Sequence, residues 1–258
     1  MSVSLAVLRG IATITLDDPG KKNAMSEAMA DAFAATVKQV STDARVRACV
    51  LNGAGGTFSS GGDLAMLEKL RTSSPADSRT FMLGYYARFL SILDVPVPTI
   101  AVVEGAAIGA GLGLALACDM AIAAEDATLS MSFVKLGLHP GLGTTYFAPL
   151  RFGRTHASEL LHTGRAFDGR HLYAIGGAYA CVAKAAIGDK AHETARAIAD
   201  NGPLAVRALK QSLAIDRAAL SSALEREASA QAESYASAEL GEGLAAVKAK
   251  RKAVFGEP

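Results

Sequence analysis

Two glycine-rich turns constrain this chain more than any other feature of its sequence. The first, Gly53 to Leu64, follows a short apolar run, and the second, Glu104 to Gly113, follows another; both precede helical patterns. Glycines at a strand-to-helix turn allow positive φ angles and close approach of the backbone to a ligand. The opening amides of a helix are unpaired donors with partial positive charge. Each turn therefore predicts a site for a phosphate or for an oxygen that gains negative charge.

Simpler interpretations of both turns stay open at this point. The first turn also fits a connecting loop in which Asp63 caps the following helix, and the second fits small residues that allow tight helix packing. The spacing Gly109-x-Gly111-x-Gly113 is similar to a dinucleotide-binding fingerprint. However, its third glycine comes one residue early and the turn lies in the middle of the chain, so nicotinamide binding is a weaker alternative.

Strand and helix patterns alternate along most of the chain, which predicts an α/β fold. Val3–Leu8 and Ile11–Leu16 flank Arg9-Gly10 and predict a hairpin. A helix is predicted from Ser26, with Ser26 as its N-cap. Strand signals vanish after about residue 191, and helical patterns continue to the end. We therefore expect an α/β core over residues 1–195 and an all-helical region over residues 196–258.

Composition excludes several classes of partner. The 258 residues carry a formal net charge of +1, so no strong field indicates nucleic acid or a membrane surface. The three cysteines lack metal-ligand spacing and are odd in number, which predicts free thiols and no metal site.

The apolar stretch from Ile100 to Ala124 is interrupted by glycines and two acidic residues, and Met1 to Leu8 lacks the pattern of a secretory signal. We therefore expect a cytoplasmic protein that does not span a membrane.

Six segments, taken in order, resemble the enoyl-CoA hydratase/isomerase (crotonase) superfamily. They cover the chain almost from end to end: Lys22–Met25, Phe58–Leu64, Gly105–Gly113, Leu116–Asp119, Phe133–Gly141 and Lys250–Phe255. The resemblance implies a spiral of ββα units with a helical C-terminal region that serves trimerisation. It also implies a homotrimer or a dimer of trimers.

The ligand implied by this resemblance is a coenzyme A thioester, bound as substrate or ligand and not as a tightly held cofactor. Its carbonyl oxygen would accept hydrogen bonds from the amides of Gly62 and Ala110. The physics agrees, because thioester chemistry at Cα or Cβ builds negative charge on that oxygen, and fixed donors stabilise it.

The resemblance also implies the residues that bind coenzyme A. Lys22, Asn23 and Ala24 match the segment that lies along the nucleotide. Residues of the first turn complete the set: Ser60, Gly61, Asp63 and Leu64. Lys250 matches a basic residue that reaches the phosphates from a neighbouring subunit.

The acids that this family uses for proton transfer are missing from the sequence. The positions of the two hydratase glutamates fall on Gly113 and Phe133, and an aspartate found in some isomerases and dehalogenases falls on Gly141. His139 is the remaining titratable candidate in the matching loop. Weaker polar candidates are Glu104, Tyr146, Ser60 and Ser132.

The sequence thus predicts an acyl-CoA-binding member of this family that stabilises a thioester enolate and does not carry out efficient enoyl-CoA hydration. Alternatives are an isomerase, a decarboxylase or a hydrolase of the same fold. A non-catalytic acyl-CoA-binding or scaffold protein is the alternative from a different class.

Overall fold

The computed structural model describes residues 2–256 and contains strands and helices in alternation. The strands are β1 (Val3–Leu8), β2 (Ile11–Leu16), β3 (Ala48–Gly53), β4 (Thr99–Val103), β5 (Ala107–Ile108), β6 (Met120–Ala124), β7 (Leu129–Ser130), β8 (Ala166–Phe167) and β9 (Ala180–Val182). The helices are α1 (Glu27–Thr42), α2 (Leu64–Leu70), α3 (Pro75–Leu90), α4 (Ala110–Ala117), α5 (Thr144–Thr163), α6 (Gly169–Ala174), α7 (Ile187–Ala199), α8 (Pro203–Ser212), α9 (Arg217–Ala236) and α10 (Ala238–Lys248).

The strands form two sheets. The larger one has the order β1-β2-β3-β4-β6-β9, with β1 antiparallel to β2 and every later pair parallel. The predicted hairpin is confirmed, with Val3 opposite Leu16 and Leu8 opposite Ile11. The smaller sheet has the order β5-β7-β8. Parallel pairing requires long crossovers, and the helices between successive strands supply them.

Helix α1 shows how the sequence pattern becomes packing. The Ser26 hydroxyl accepts a hydrogen bond from Met29 N, as an N-cap does. Met29, Phe33, Val37 and Val40 form the buried stripe that their spacing predicts. Burial of this stripe fixes α1 against β1 and β2, and it places the Lys22–Ala24 segment beside the first glycine-rich turn.

The C-terminal region is helical, as predicted, and it packs on the core. The residue 195/196 boundary falls inside α7, whose buried face contacts β3, β4 and β6. Helix α9 packs along α3. Within residues 2–256, none of the helices combines the length and the apolarity that crossing a bilayer requires.

Glu227 anchors α9 to the beginning of α5. Its side chain is fully buried and accepts hydrogen bonds from Gly143 N at 2.7 Å, Thr145 N at 2.8 Å and Thr145 Oγ1 at 2.6 Å. These bonds satisfy opening amides of α5 that would otherwise lack partners. Burial raises the pKa of Glu227 to about 7, against the opposing effect of these donors.

We expect this buried carboxyl to make stability depend on pH. The folded pKa of about 7 lies above the ordinary value of 4.5, so between pH 4.5 and pH 7 the folded state holds a proton that the unfolded state has released. The stabilisation of the fold by protonated Glu227 is therefore complete below pH 4.5. About 3 kcal/mol of unfolding free energy is lost as the pH rises from 4.5 through 7. Urea unfolding of the wild type and Glu227→Gln across this range measures it. A free-energy difference between the two proteins that stays constant with pH would contradict the assignment.

Candidate active site

Ser59 holds the two glycine-rich turns together. Its amide donates to Ala106 O at 3.0 Å, and its carbonyl accepts from Ile108 N at 3.0 Å, so the turns run parallel for one residue pair. The Ser59 hydroxyl donates to Asn23 O at 2.8 Å and accepts from Gly61 N at 3.1 Å. These bonds join the two turns and the Lys22–Ala24 segment into one unit.

Two glycines adopt conformations that other residues rarely take. Gly61 has φ +85°, and a Cβ atom there would lie 2.4 Å from Ile108 O and 3.6 Å from Ala110 N. Gly109 has φ +53° and ψ −118° and precedes α4, with its amide bonded to Ser130 O at 2.7 Å. The absence of a side chain at Gly61 lets the turns approach within contact distance.

Gly62 and Ala110 line one cavity of about 100 Å³. In the part of the chain that the structure describes, neither amide donates a hydrogen bond. Ala110 is the first residue of α4, so the partial positive charge of that helix end adds to its donor strength. Two unpaired donors on the wall of one cavity suit an oxygen that carries or develops negative charge.

The rest of the cavity is mostly apolar. Leucine, methionine and phenylalanine side chains supply most of its wall: Leu64, Met66, Leu67, Met82, Phe133, Leu136, Leu138 and Leu142. Its polar side chains are neutral: Ser60, Tyr85, Tyr86, Ser132, Gln231 and Tyr235. Among residues 2–256, no carboxylate, imidazole, ammonium or guanidinium group lines it. The hydroxyl-bearing side chains of this lining are serines and tyrosines.

At the three positions where the family has acids, neighbouring atoms or a phenylalanine ring fill the space. A Cβ at Gly113 would lie 2.8 Å from Thr144 Oγ1, and one at Gly141 would lie 2.5 Å from Tyr86 Oη. Phe133 turns its ring toward Gly109 and is buried. Because real Cβ atoms avoid distances below 3 Å, neighbouring atoms would have to move before either glycine accepted a side chain.

His139 does not line the cavity, so its role in proton transfer stays a prediction. Its Nδ1 lies 2.7 Å from Pro140 O, and its amide donates to Ser234 Oγ. These contacts tie the residue to its own loop and to α9. Glu104 and Tyr146 are also elsewhere: Glu104 faces Lys184 at 3.8 Å, and Tyr146 Oη donates to Asp216 O.

The Lys22–Ala24 segment lies directly beside the first turn. Ser60 N donates to Lys22 O at 2.9 Å, and the Lys22 side chain is exposed. Asn23 is fully buried: its Oδ1 accepts from Asp18 N, and its Nδ2 donates to Ala54 O and Thr57 O. The Asn23 side chain therefore holds the turn together through backbone groups, a role that the sequence does not reveal.

We expect Asn23→Ala to destabilise the fold by about 3 kcal/mol, because it leaves one amide and two carbonyls in partly buried positions without these partners. Asn23 also has φ +53°, which asparagine tolerates better than alanine. Asn52→Ala is the matched control, since the buried Asn52 Oδ1 has no partner to lose among residues 2–256. Chemical denaturation measures both. Equal losses of unfolding free energy in the two variants would contradict the assigned role.

The remaining predicted binding residues differ in their relation to the cavity. Asp63 caps α2, as predicted, by accepting from Met66 N at 2.9 Å. Ser60, Gly61 and Leu64 line the cavity. Lys250 is exposed after α10 and does not line the cavity of its own chain.

The architecture is the crotonase fold: an α/β arrangement of repeated strand and helix units with a mostly helical C-terminal region. The family model for enoyl-CoA hydratase/isomerase matches residues 7–258. The chain therefore belongs to the enoyl-CoA hydratase/isomerase family.

Relatives across the whole chain agree with this assignment. The Bacillus subtilis (strain 168) protein YngF, an enoyl-CoA hydratase/isomerase by name, is 34% identical over 251 residues, which cover 95% of this chain and 94% of YngF. The human mitochondrial enoyl-CoA hydratase domain-containing protein 2 is 33% identical and covers 96% of this chain, with 86% of its own length matched. The crystal structure of an enoyl-CoA hydratase/isomerase from Xanthobacter autotrophicus Py2 superposes with a TM-score of 0.88 at 30% identity, covering 100% of this chain and 99% of that one.

Proposed function

We propose that this protein binds a coenzyme A thioester and stabilises an enolate on it. The observation that carries the proposal is the pair of unpartnered amides, Gly62 N and Ala110 N, on the wall of one cavity. Both amides are fixed by the backbone, so they need no reorganisation when charge develops. Family membership supports the acyl-CoA class of ligand.

The proposed chemistry follows from where the charge develops. Removing a proton from Cα, or adding a nucleophile at Cβ, moves an electron pair onto the thioester oxygen. A fixed amide donor stabilises that anion more than the neutral carbonyl, and each such donor is worth about 10²–10³ in rate. The apolar wall around the amides strengthens the effect, because a low dielectric strengthens hydrogen bonds to charge.

Efficient enoyl-CoA hydration is not part of the proposal. Hydration needs a base that activates water and an acid that protonates Cα, and the cavity offers neither a carboxylate nor an imidazole in the described residues. The same observation favours the second candidate, an acyl-CoA-binding protein without turnover. In both candidate functions the thioester carbonyl oxygen accepts hydrogen bonds from the two amides.

The rest of the ligand is assigned by position. We place the coenzyme A nucleotide along Lys22–Ala24, because this segment is bonded to the first turn and Lys22 is exposed there. Lys250 would contribute its charge from a neighbouring subunit, which requires a trimer or a dimer of trimers. Sedimentation at several concentrations tests this part of the proposal, and a monomer at all concentrations would remove Lys250 from it.

Calorimetric titration with butyryl-CoA and with S-butyl-CoA tests the carbonyl site. The thioether has the same nucleotide and chain but no carbonyl oxygen. With two hydrogen bonds at stake, we expect the thioester to bind about tenfold more tightly or better. Equal affinity for the two ligands would contradict the proposal.

Deuterium exchange at Cα of bound butyryl-CoA in D₂O separates the two candidates. Incorporation above the rate in free solution indicates enolate formation and an enzyme. Tight binding with no added incorporation indicates the binding protein.

A further inference from the structure

The direction of the Gly62 N–H depends on a hydrogen bond from a distant part of the chain. The carbonyl of the same peptide unit, Gly61 O, accepts from Met25 N at 2.8 Å. No peptide bond in residues 2–256 is cis, and in a trans peptide the N–H points opposite to the C=O. The bond that Met25 makes to the Gly61 carbonyl therefore sets the direction of the Gly62 N–H.

The two amides of the site differ in how their direction is fixed. For Ala110 the carbonyl of the same peptide unit, Gly109 O, accepts from Gly113 N at 3.0 Å, so the helix α4 itself fixes that peptide. Gly62 lies outside a helix, and among residues 2–256 only its neighbours in sequence come within 4 Å of a Cβ built on it. The direction of the Gly62 N–H thus depends on where Met25 is held.

Met25 is held by a side chain of helix α3. It lies between the Lys22–Ala24 segment and α1, its own side chain is fully buried, and its backbone pairs with Gly62 in an isolated parallel bridge. The Met25 carbonyl accepts from Tyr85 Oη at 2.6 Å. Tyr85 therefore ties the donor of the Gly61 carbonyl to α3.

The Tyr85 ring is itself fixed on several sides. It is buried on the cavity wall, with ring centroids 5.2 Å from Phe89 and 6.1 Å from Phe81, and the Arg88 guanidinium lies 5.9 Å from its centroid. Burial raises the pKa of Tyr85 well above its usual value, so the phenol keeps its proton. That proton is donated to Met25 O. The hydroxyl is thus a rigidly placed donor to the backbone.

We propose that Tyr85 is a positioning residue for the Gly62 amide. Its hydroxyl holds the Met25 carbonyl, and the Met25 N–H holds the Gly61 carbonyl. These two bonds aim the Gly62 N–H at the thioester oxygen. Aim matters because a hydrogen bond weakens steeply as its angle at the proton bends. This inference rests on the proposed function, since it needs a thioester oxygen at the two amides.

The ratio of affinities for butyryl-CoA and S-butyl-CoA in Tyr85→Phe tests the proposal. The thioether lacks only the carbonyl oxygen, so this ratio reports on the two amides, whereas a general loss of stability would weaken both ligands alike. We expect the ratio to fall from about tenfold or more in the wild type to about threefold or less, with affinity for the thioether kept. A wild-type ratio in the folded variant would overturn the inference. Equal affinities in the wild type would overturn the proposed function instead.

Two further variants assign the effect to the Tyr85 hydroxyl. Tyr146→Phe is the matched control, because it also removes a bond from a phenol to a backbone carbonyl, that of Asp216, and Tyr146 does not line the cavity. Its ratio should equal that of the wild type, and a fall as large as in Tyr85→Phe would overturn the assignment. Replacing Tyr85 with 4-aminophenylalanine keeps the ring and an N–H donor in the same place, so the wild-type ratio should return. A ratio that stays low in this folded variant would overturn the inference, and this variant decides if Tyr85→Phe does not fold.

Discussion

Replacing Gly61 with alanine is expected to remove most of the protein's affinity for acyl-CoA and any turnover. A Cβ at this position would lie 2.4 Å from Ile108 O, and the residue has φ +85°, so the two turns must separate. Separation moves Ala110 N away from Gly62 N, and a thioester oxygen then reaches one donor at best. The loss of one donor costs about 10²–10³ in rate. Butyryl-CoA titration and the Cα exchange rate measure the effect.

Gly84→Ala is the control for the alanine substitution itself. Gly84 lies in α3 with nothing within 4 Å of an added Cβ and is exposed. Since alanine favours helix more than glycine does, this variant should be as stable as the wild type or slightly more stable. Circular dichroism of both variants shows whether each retains its fold. A folded Gly61→Ala protein with unchanged acyl-CoA affinity would contradict the account of the turns.

Hydration of a short 2-enoyl-CoA is expected to be very slow. A positioned acid or base contributes about 10²–10⁴ each, so the lack of both lowers kcat/KM by about 10⁴-fold or more from the ~10⁸ M⁻¹s⁻¹ reached at the diffusional limit. Absorbance of the conjugated thioester measures the rate directly. The single addition Gly113→Glu should not raise it, because Thr144 Oγ1 occupies the space at 2.8 Å from the new Cβ. Hydration close to the diffusional limit would show that another group in this cavity activates water.

The alternation of strands and helices could be predicted because each element carries its own local signal. The stripe of Met29, Phe33, Val37 and Val40 is buried as its spacing predicts, and Ser26 caps the helix. The confirmed hairpin follows from two apolar runs around Arg9-Gly10. Local patterns of this kind survive folding because burial of the same side chains fixes both the element and its place.

The site was harder to predict, because its geometry depends on contacts between distant segments. The sequence indicates both glycine-rich turns, but not that Ser59 joins them through Ala106, Ile108 and Asn23. His139 lies within a matching motif, yet its ring contacts Pro140 O and does not line the cavity. Position in a motif places a residue along the chain and does not determine which way its side chain points.

The polar side chains of Tyr86 and Gln231 on the cavity wall could not be predicted from the sequence for a similar reason. Tyr86 lies among apolar residues with helical spacing, and Gln231 lies in a helix of ordinary polar composition. The two residues are 145 positions apart in the sequence, and nothing in either segment indicates that their side chains meet inside one cavity. A glutamine near the C-terminus that is 3% exposed becomes informative once its partners are known.

Infrared spectroscopy of a bound thioester tests the central claim most directly. Butyryl-CoA labelled with ¹³C at the carbonyl gives a stretching band that difference spectra separate from the protein, and hydrogen bonds to the oxygen lower its frequency. If the amides of Gly62 and Ala110 donate to the carbonyl oxygen, its frequency should fall when the thioester binds to the wild type. In the Gly61→Ala variant, any thioester that still binds should show little of this shift. A bound carbonyl whose frequency equals that in water or lies above it would contradict the two-amide site.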